Sequence, residues 1–286
     1  MTKVFVVGLG RMGRGIVKNL VKKGYSVLGY DVSPRPYELL ADVTSFRRAA
    51  LPDAREADYV LLTLPTAHEL LGVLGEMTGS KGVIVNMTTV GLDDAKAAAS
   101  KAASINVRYL TAMMEGGPAN AETGALTLYV GGPVEVYNSS LAFLRDVGNP
   151  IYVGSHDAAI AIKLLSTAIL LANTAILAEI SQALLRLGLE PDLLVKALSS
   201  GGADSAQLRS RLPIMLSGLY KDVFSVDLGV YVLEEAIKAA RALGSDYMPL
   251  LSHVVELLRA ARGLGLGSHD IAEIAELYKY LASRRG

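Results

Sequence analysis

The sequence predicts an α/β fold, a Rossmann doubly wound sheet followed by an all-α C-terminal domain joined by a long interdomain helix. Three observations predict it. Short apolar runs alternate with helix-like stretches as far as about residue 154, the signature of a mostly parallel sheet with crossover helices. Beyond that point every periodic segment reads as helix. The first turn of the chain, between its first strand and its first helix, has the pattern G-x-G-x-x-G.

That first turn comes in the order that gives the pattern meaning. Lys3 opens the apolar run Val4-Phe5-Val6-Val7, which breaks into Gly8-Leu9-Gly10-Arg11-Met12-Gly13. A helical stretch over 14–23 ends at Gly24, and a second strand over 25–30 delivers Asp31. The first glycine permits a tight turn, the second lets backbone N–H groups approach a pyrophosphate, and the third lets helix and strand pack closely. The helix N-terminus adds partial positive charge. Asp31 lies 18 residues after Gly13, near the spacing of about 20 for an acid that binds a ribose diol. The context points to a dinucleotide. NAD is the expected cofactor because Asp31 repels a 2′-phosphate, while Arg35 could offset this and admit NADP.

Further strands are predicted at 59–64, 83–87, 107–110, 125–130 and 151–153. Ligands then sit beyond the strand C-termini, where Gly8, Asp31, Leu64 and Thr88 would cluster. The pattern changes at Gly154, which divides the chain into a dinucleotide-binding domain, 1–155, and a helical substrate and dimerisation domain, 156–286. A long helix is predicted over 157–187 with Gly188 as its stop. Its stretch 164–178 is 15 residues without a charge, shorter than a membrane span and apolar enough to be buried on nearly all sides. Helices follow at 191–199, 208–219, 226–243, 250–262 and 271–282, and the cleft between the two domains is the expected active site.

Composition narrows the function. At 286 residues the chain exceeds the prior of roughly 150 for one domain. Lys+Arg and Asp+Glu are both 28, so neither net charge nor a basic cluster suggests nucleic acid. The absence of Cys excludes disulfides and thiol chemistry. His68, His156, His253 and His269 are scattered, without metal-ligand spacing. The first apolar run is too short for a signal peptide, so a cytoplasmic protein with a small-molecule substrate and no membrane partner is expected. The apolar long helix and the amphipathic last segment predict a homodimer or homotetramer.

The motifs resemble the β-hydroxyacid dehydrogenase family, of 3-hydroxyisobutyrate dehydrogenase type, over essentially the whole chain. Residues 8–13 match that family's G-L-G-x-M-G opening. Leu64-Pro65-Thr66 matches its L-P-x turn beside the cofactor, and Asn86-Met87-Thr88-Thr89 sits where the family has D-x-S-T. The resemblance implies that Thr89 touches the nicotinamide side. Glu115-Gly116-Gly117, then residues 123–127 and Gly131-Gly132, match the stretch S-G-G…G-T-L-T…G-G. Lys163 falls at the position of the family's catalytic lysine. The departures lie on the substrate side: Glu115 replaces the substrate-binding Ser, Thr167 replaces an Asn, and Tyr231-Val232 replaces a late Lys-Asp pair. The 6-phosphogluconate dehydrogenases and imine reductases are more distant relatives, and the latter replace the lysine that is kept here.

The residues themselves leave several roles open. An apolar setting (Ile160, Ile162, Leu164, Leu165) disfavours the ammonium of Lys163 and suits proton exchange with an alcohol or carbonyl; the same lysine could snorkel to the surface. Gly116 and Gly117 can offer N–H groups to a substrate carboxylate or form an ordinary turn. Thr88 and Thr89 contact the cofactor or simply end a strand. Thr167 shares a helix face with Lys163 and bonds either substrate or its own backbone. Glu115 pairs with Lys163, receives a substrate ammonium, or points to solvent. Tyr231 covers the nicotinamide ribose or fills the interdomain core. Three functions follow: a dehydrogenase of a 3-hydroxy acid or serine-like amino-hydroxy acid, a reductase of imines or other carbonyl derivatives, and a catalytically silent cofactor-binding protein.

Overall fold

A computed structural model describes residues 1–221 and 223–283. The chain forms two compact units, Met1–Lys163 and a second beginning at Leu164. The division falls inside the long helix rather than at its start, which keeps Lys163 with the sheet.

The first unit carries an eight-stranded sheet in the order β3-β2-β1-β4-β5-β6-β7-β8, formed by Lys3–Val7 (β1), Ser26–Tyr30 (β2), Phe46–Arg48 (β3), Tyr59–Leu62 (β4), Val83–Asn86 (β5), Arg108–Glu115 (β6), Leu126–Gly131 (β7) and Gly148–Gly154 (β8). All neighbours are parallel except β6 and β7. Helices Arg11–Lys22 (α1), Arg35–Glu38 (α2), Ala67–Gly75 (α3), Leu92–Ser104 (α4), Pro118–Thr123 (α5) and Val134–Val147 (α6) connect the strands. β1 and β5 are buried almost throughout, as continuous apolar runs covered on both faces must be. One core joins Val4, Val6, Ile16, Leu20, Val85, Leu110, Leu128 and Phe143.

Two departures from the sequence reading matter. β3 went unpredicted because a three-residue strand with two exposed arginines has no apolar rhythm. β6 runs to Glu115 instead of stopping at 110. Its second half, Thr111–Glu115, includes the helix formers Ala, Met, Met and Glu, and antiparallel pairing with β7 overrides that preference.

The long helix, His156–Leu185 (α7), begins in the first unit and continues into the second. Among the described residues it alone is long and apolar enough to cross a membrane, and half of its most apolar window is buried in protein. The expectation of burial on nearly all sides is corrected. Ile162, Ile169 and Ile176, seven residues apart, are 37%, 65% and 53% exposed, so the helix keeps one apolar face outward.

The second unit continues with Pro191–Ser199 (α8), Ala206–Ser217 (α9), Val226–Ala242 (α10), Pro249–Ala261 (α11) and Ile274–Ser283 (α12). The last predicted helix instead opens with a 3₁₀ turn, Ile271–Glu273. Asp270, 1% exposed, stands at the N-cap of this turn. Its carboxylate caps the turn at Ala272 N, accepts from the N–H groups of Val223 and Phe224 at 2.9 and 3.0 Å, and pairs with Arg211.

Candidate functional site

The C-terminal ends of β1, β2, β4 and β5 converge on the glycine turn, and each glycine has a separate physical reason. Gly8 has φ of +90°, and a Cβ there would lie 2.3 Å from the Thr63 carbonyl oxygen. A Cβ at Gly13 would lie 2.1 Å from the Gly8 carbonyl oxygen. A Cβ at Gly10 would meet nothing within 4 Å. Gly8 and Gly13 are therefore required by the protein's own packing, whereas the space above Gly10 is open. Gly10 is also the N-cap of α1, supplies no side-chain cap, and no acid stands in the first turn. An open approach to an uncapped helix N-terminus suits a pyrophosphate. These residues thus fit a dinucleotide.

Asp31 follows β2 directly. Its Oδ2 accepts from Leu9 N at 2.7 Å and its Oδ1 from Ser33 N at 2.8 Å. The carboxylate thereby holds both the glycine turn and its own loop, leaving the remaining lone pairs for a ligand. Leu9 is fully buried in the core, while Arg11 is exposed and Met12 half-buried. Tyr37, whose hydroxyl accepts from Asp31 N at 2.7 Å, lies under the Arg48 guanidinium, 4.6 Å from its ring centroid.

Two threonines fasten this end of the sheet. Thr63 donates to the Gly8 carbonyl at 2.6 Å. Thr88, 1% exposed, accepts from Leu64 N at 3.0 Å and donates to the Leu62 carbonyl at 3.2 Å. Leu64, Pro65 and Thr66 follow β4, where Thr66 caps α3 by accepting from Glu69 N. Thr89, beside Thr88, is half-buried.

The other candidate corner is built from charge. Glu115 is the last residue of β6, opposite Thr127 of β7. Lys163 lies two turns into α7 and donates from Nζ to Glu115 Oε2 at 3.1 Å. Their side chains are 16% and 27% exposed, for Lys163 and Glu115 respectively. The surroundings of Lys163 thus include a carboxylate, beyond the apolar neighbours visible in sequence. Gly116 has φ of +119°, and Gly117 N donates to Asn120 Oδ1 at 3.0 Å, so Asn120 occupies an N–H expected for a substrate carboxylate. Thr167, buried on α7, and Tyr231, 39% exposed on α10, belong to the second unit.

Two family models together match most of the chain. One, described as the NAD binding domain of 6-phosphogluconate dehydrogenase, matches residues 3–155. The other, described as the NAD-binding of NADP-dependent 3-hydroxyisobutyrate dehydrogenase, matches residues 158–278. This chain belongs to the β-hydroxyacid dehydrogenase family. It is an NAD(P)-dependent dehydrogenase of the class that acts on CH–OH. Among relatives, 2-(hydroxymethyl)glutarate dehydrogenase of Eubacterium barkeri is 27% identical over 290 residues, 98% of this chain and 95% of that one. Human mitochondrial 3-hydroxyisobutyrate dehydrogenase is 27% identical, covering 92% and 83%. The solved Mycobacterium tuberculosis 3-hydroxyisobutyrate dehydrogenase with L-serine has the same fold, with a TM-score of 0.84, 24% identity and coverage of 97% and 99%.

For a β-hydroxyacid dehydrogenase, several residues beyond the sequence motifs shape the site. Thr63 lies one residue past β4, and a hydroxyl near the end of an apolar run is its signal in the sequence. Asn120 and Tyr37 carried no signal, because their contacts depend on local turns that periodicity does not describe. A cavity of about 500 Å³ among Lys3, Ser26, Arg47, Asp53 and Glu56 opens at the N-terminal ends of the strands, away from the glycine turn.

Proposed function

We propose that this β-hydroxyacid dehydrogenase acts on a small 3-hydroxy acid that carries a hydrogen-bond donor or ammonium group, of which serine is the simplest example, and that it prefers NAD. The observation that carries the substrate reading is the Lys163–Glu115 pair, 3.1 Å apart. In this reading Lys163 is the catalytic residue. As a neutral amine its Nζ takes the hydroxyl proton during oxidation, and as the resulting ammonium it gives that proton to the carbonyl oxygen during reduction. The bound nicotinamide supplies the hydride chemistry. The residues proposed to hold it are Gly8, Leu9, Gly10, Arg11, Met12, Gly13, Asp31, Leu64, Pro65, Thr66 and Thr89, with Tyr231 at its ribose. Gly116 and Thr167 join Glu115 as substrate-binding residues.

Glu115 gives the proposed site its selectivity. A carboxylate here repels a plain substrate acid and attracts an ammonium or hydroxyl donor. Entry of such a group lets Glu115 exchange Lys163 for the substrate's donor, releasing Lys163 toward the substrate oxygen. The M. tuberculosis enzyme solved with L-serine offers a precedent of the same fold. The cytoplasm is the proposed compartment. The outward isoleucines of α7 support a two-fold homo-oligomer, which light scattering tests; a mass near 30.2 kDa at micromolar concentration contradicts it.

A panel of 3-hydroxy acids and amino-hydroxy acids, each assayed with NAD and NADP, tests the function. Reduction of NAD by at least one amino-hydroxy acid is expected. A chain that binds NADH but turns over no member of the panel contradicts the reading. A tenfold preference for NADP, about 1.4 kcal/mol, contradicts the role given to Asp31.

A further inference from the structure

Inside the first unit, behind the turn that carries Thr88 and Thr89, two polar groups are buried without partners. Asn86 ends β5 and is 0% exposed. Its Oδ1 accepts from Thr88 N at 2.9 Å, and this fixes the amide, because a backbone N–H needs an oxygen acceptor. The amide nitrogen Nδ2 then faces the other way, and among the described residues it finds no hydrogen-bond partner. Tyr109, on the neighbouring β6 and 4% exposed, has a hydroxyl in the same condition.

These groups share one place. Tyr109 and Thr111 are two apart on β6 and so project to the same side of the sheet. Thr111 is the direct neighbour of Asn86 across β5 and β6. The side chains of Thr111 and Asn86 both lie close enough to the Tyr109 hydroxyl to favour its phenolate as hydrogen-bond donors, yet neither completes a hydrogen bond of ordinary length and angle with it. Burial holds that phenol far above its ordinary range, so it stays a donor. Thr111 Oγ1 lies 3.0 Å from Nδ1 of His156, the first residue of α7, and the His156 ring packs 5.2 Å from the Tyr109 ring. Burial also lowers the pKa of His156, with Asp157 opposing, so the imidazole is neutral and its Nδ1 can accept from Thr111.

Buried polar atoms are nearly always satisfied by protein or by ordered water. Two unpartnered groups with a third polar neighbour make a site with the two to four partners that an internal water requires. We propose that one buried water accepts from Asn86 Nδ2 and the Tyr109 hydroxyl and donates to Thr111 Oγ1, and that this cluster ties the first turn of α7 to the Thr88–Thr89 turn. Asn86 is the positioning residue at its centre, holding Thr88 N with one end of its amide and the water with the other. α7 carries Lys163 seven residues beyond His156, so the cluster sets the lysine's helix against the nicotinamide-side turn. This consequence rests on the roles proposed above for Lys163 and Thr89; the water itself does not.

A high-resolution crystal structure of the chain, together with Tyr109→Phe, tests the proposal. Electron density for one water within hydrogen-bonding distance of Asn86 Nδ2 and the Tyr109 hydroxyl is expected, and a dry gap there overturns it. Tyr109→Phe is expected to lower kcat by about tenfold, a fraction of the hundredfold that an ångström of misplacement can cost. Its NADH dissociation constant should stay unchanged, and the emission of bound NADH should shift with the altered nicotinamide surroundings. Thr111→Ser, which keeps the hydroxyl, should retain the wild-type values. So should Ser140→Ala, which removes another buried hydroxyl without a partner, outside the cluster. A Tyr109→Phe protein with less stability but unchanged kcat and unchanged NADH emission reduces the cluster to a structural role and overturns the positioning claim. If the wild-type chain turns over no hydroxy acid, the density and the NADH emission still decide this proposal separately from the catalytic reading.

Discussion

The glycine turn and the Glu115–Lys163 corner are built on different principles. The turn is specified by backbone. Gly8 and Gly13 are held to glycine by carbonyl oxygens that would lie 2.3 and 2.1 Å from any Cβ, and Gly10 faces open space. The corner is specified by side chains, with a strand-end carboxylate and a helix lysine 48 residues apart meeting at 3.1 Å. Backbone constraints leave a contiguous motif that tolerates little change. Side-chain pairs can be exchanged without disturbing the fold, and this is where the chain departs from the family pattern. The glycine turn is therefore constrained by the fold itself, while the charged corner is free to change.

Breaking the corner should cost more than breaking the turn. Lys163→Met keeps a linear side chain of similar reach and removes the proton. Turnover is expected to fall by about 10²–10⁴ while NADH binding, followed by its emission, persists. Turnover close to wild type removes Lys163 from the chemistry.

Within the turn, the three glycines should separate. Gly13→Ala forces a Cβ onto the Gly8 carbonyl oxygen and is expected to destabilise the fold by about 1–3 kcal/mol, the usual range for overpacking. Gly10→Ala meets nothing in the protein and should keep the wild-type Tm, yet weaken cofactor binding because the added methyl occupies the approach to the helix N-terminus. Equal Tm losses for the two variants contradict the assignment of separate roles.

The smallest effect concerns pH. Burial lowers the pKa of His156 below its ordinary 6.5, with Asp157 opposing. The unfolded chain therefore takes up a proton that the folded chain resists. The His156 contribution is fully present above about pH 6.5 and is lost as the pH falls below that value. His156→Asn should flatten the decline in stability between pH 7.5 and 5.5, measured by denaturant titration. An unchanged slope contradicts a buried, neutral His156.

Most of the fold was legible because buried strands and helices announce themselves by apolar rhythm. β1, β4 and β5 are continuous apolar runs, and α8 occupies the predicted residues 191–199. β3 was illegible because its three residues include two exposed arginines. The second half of β6 was illegible because its pairing with β7 overrides local preference. The same division applies to the candidate site. The glycine turn and Asp31 could be read from spacing, whereas Thr63 on the Gly8 carbonyl, Asn120 on Gly117 N and the cluster behind Asn86 depend on contacts that no linear pattern encodes.

The claim that the charged corner selects the substrate is tested most directly by Glu115→Ser, which restores the residue type of the family pattern. The measurement is kcat/KM for an amino-hydroxy acid and for a plain 3-hydroxy acid, in wild type and variant, with the same cofactor. The ratio is expected to move toward the plain acid by about 1–3 kcal/mol, as a charge-assisted hydrogen bond is lost and a repulsion is removed. An unchanged ratio places Glu115 outside the substrate's reach and contradicts the account.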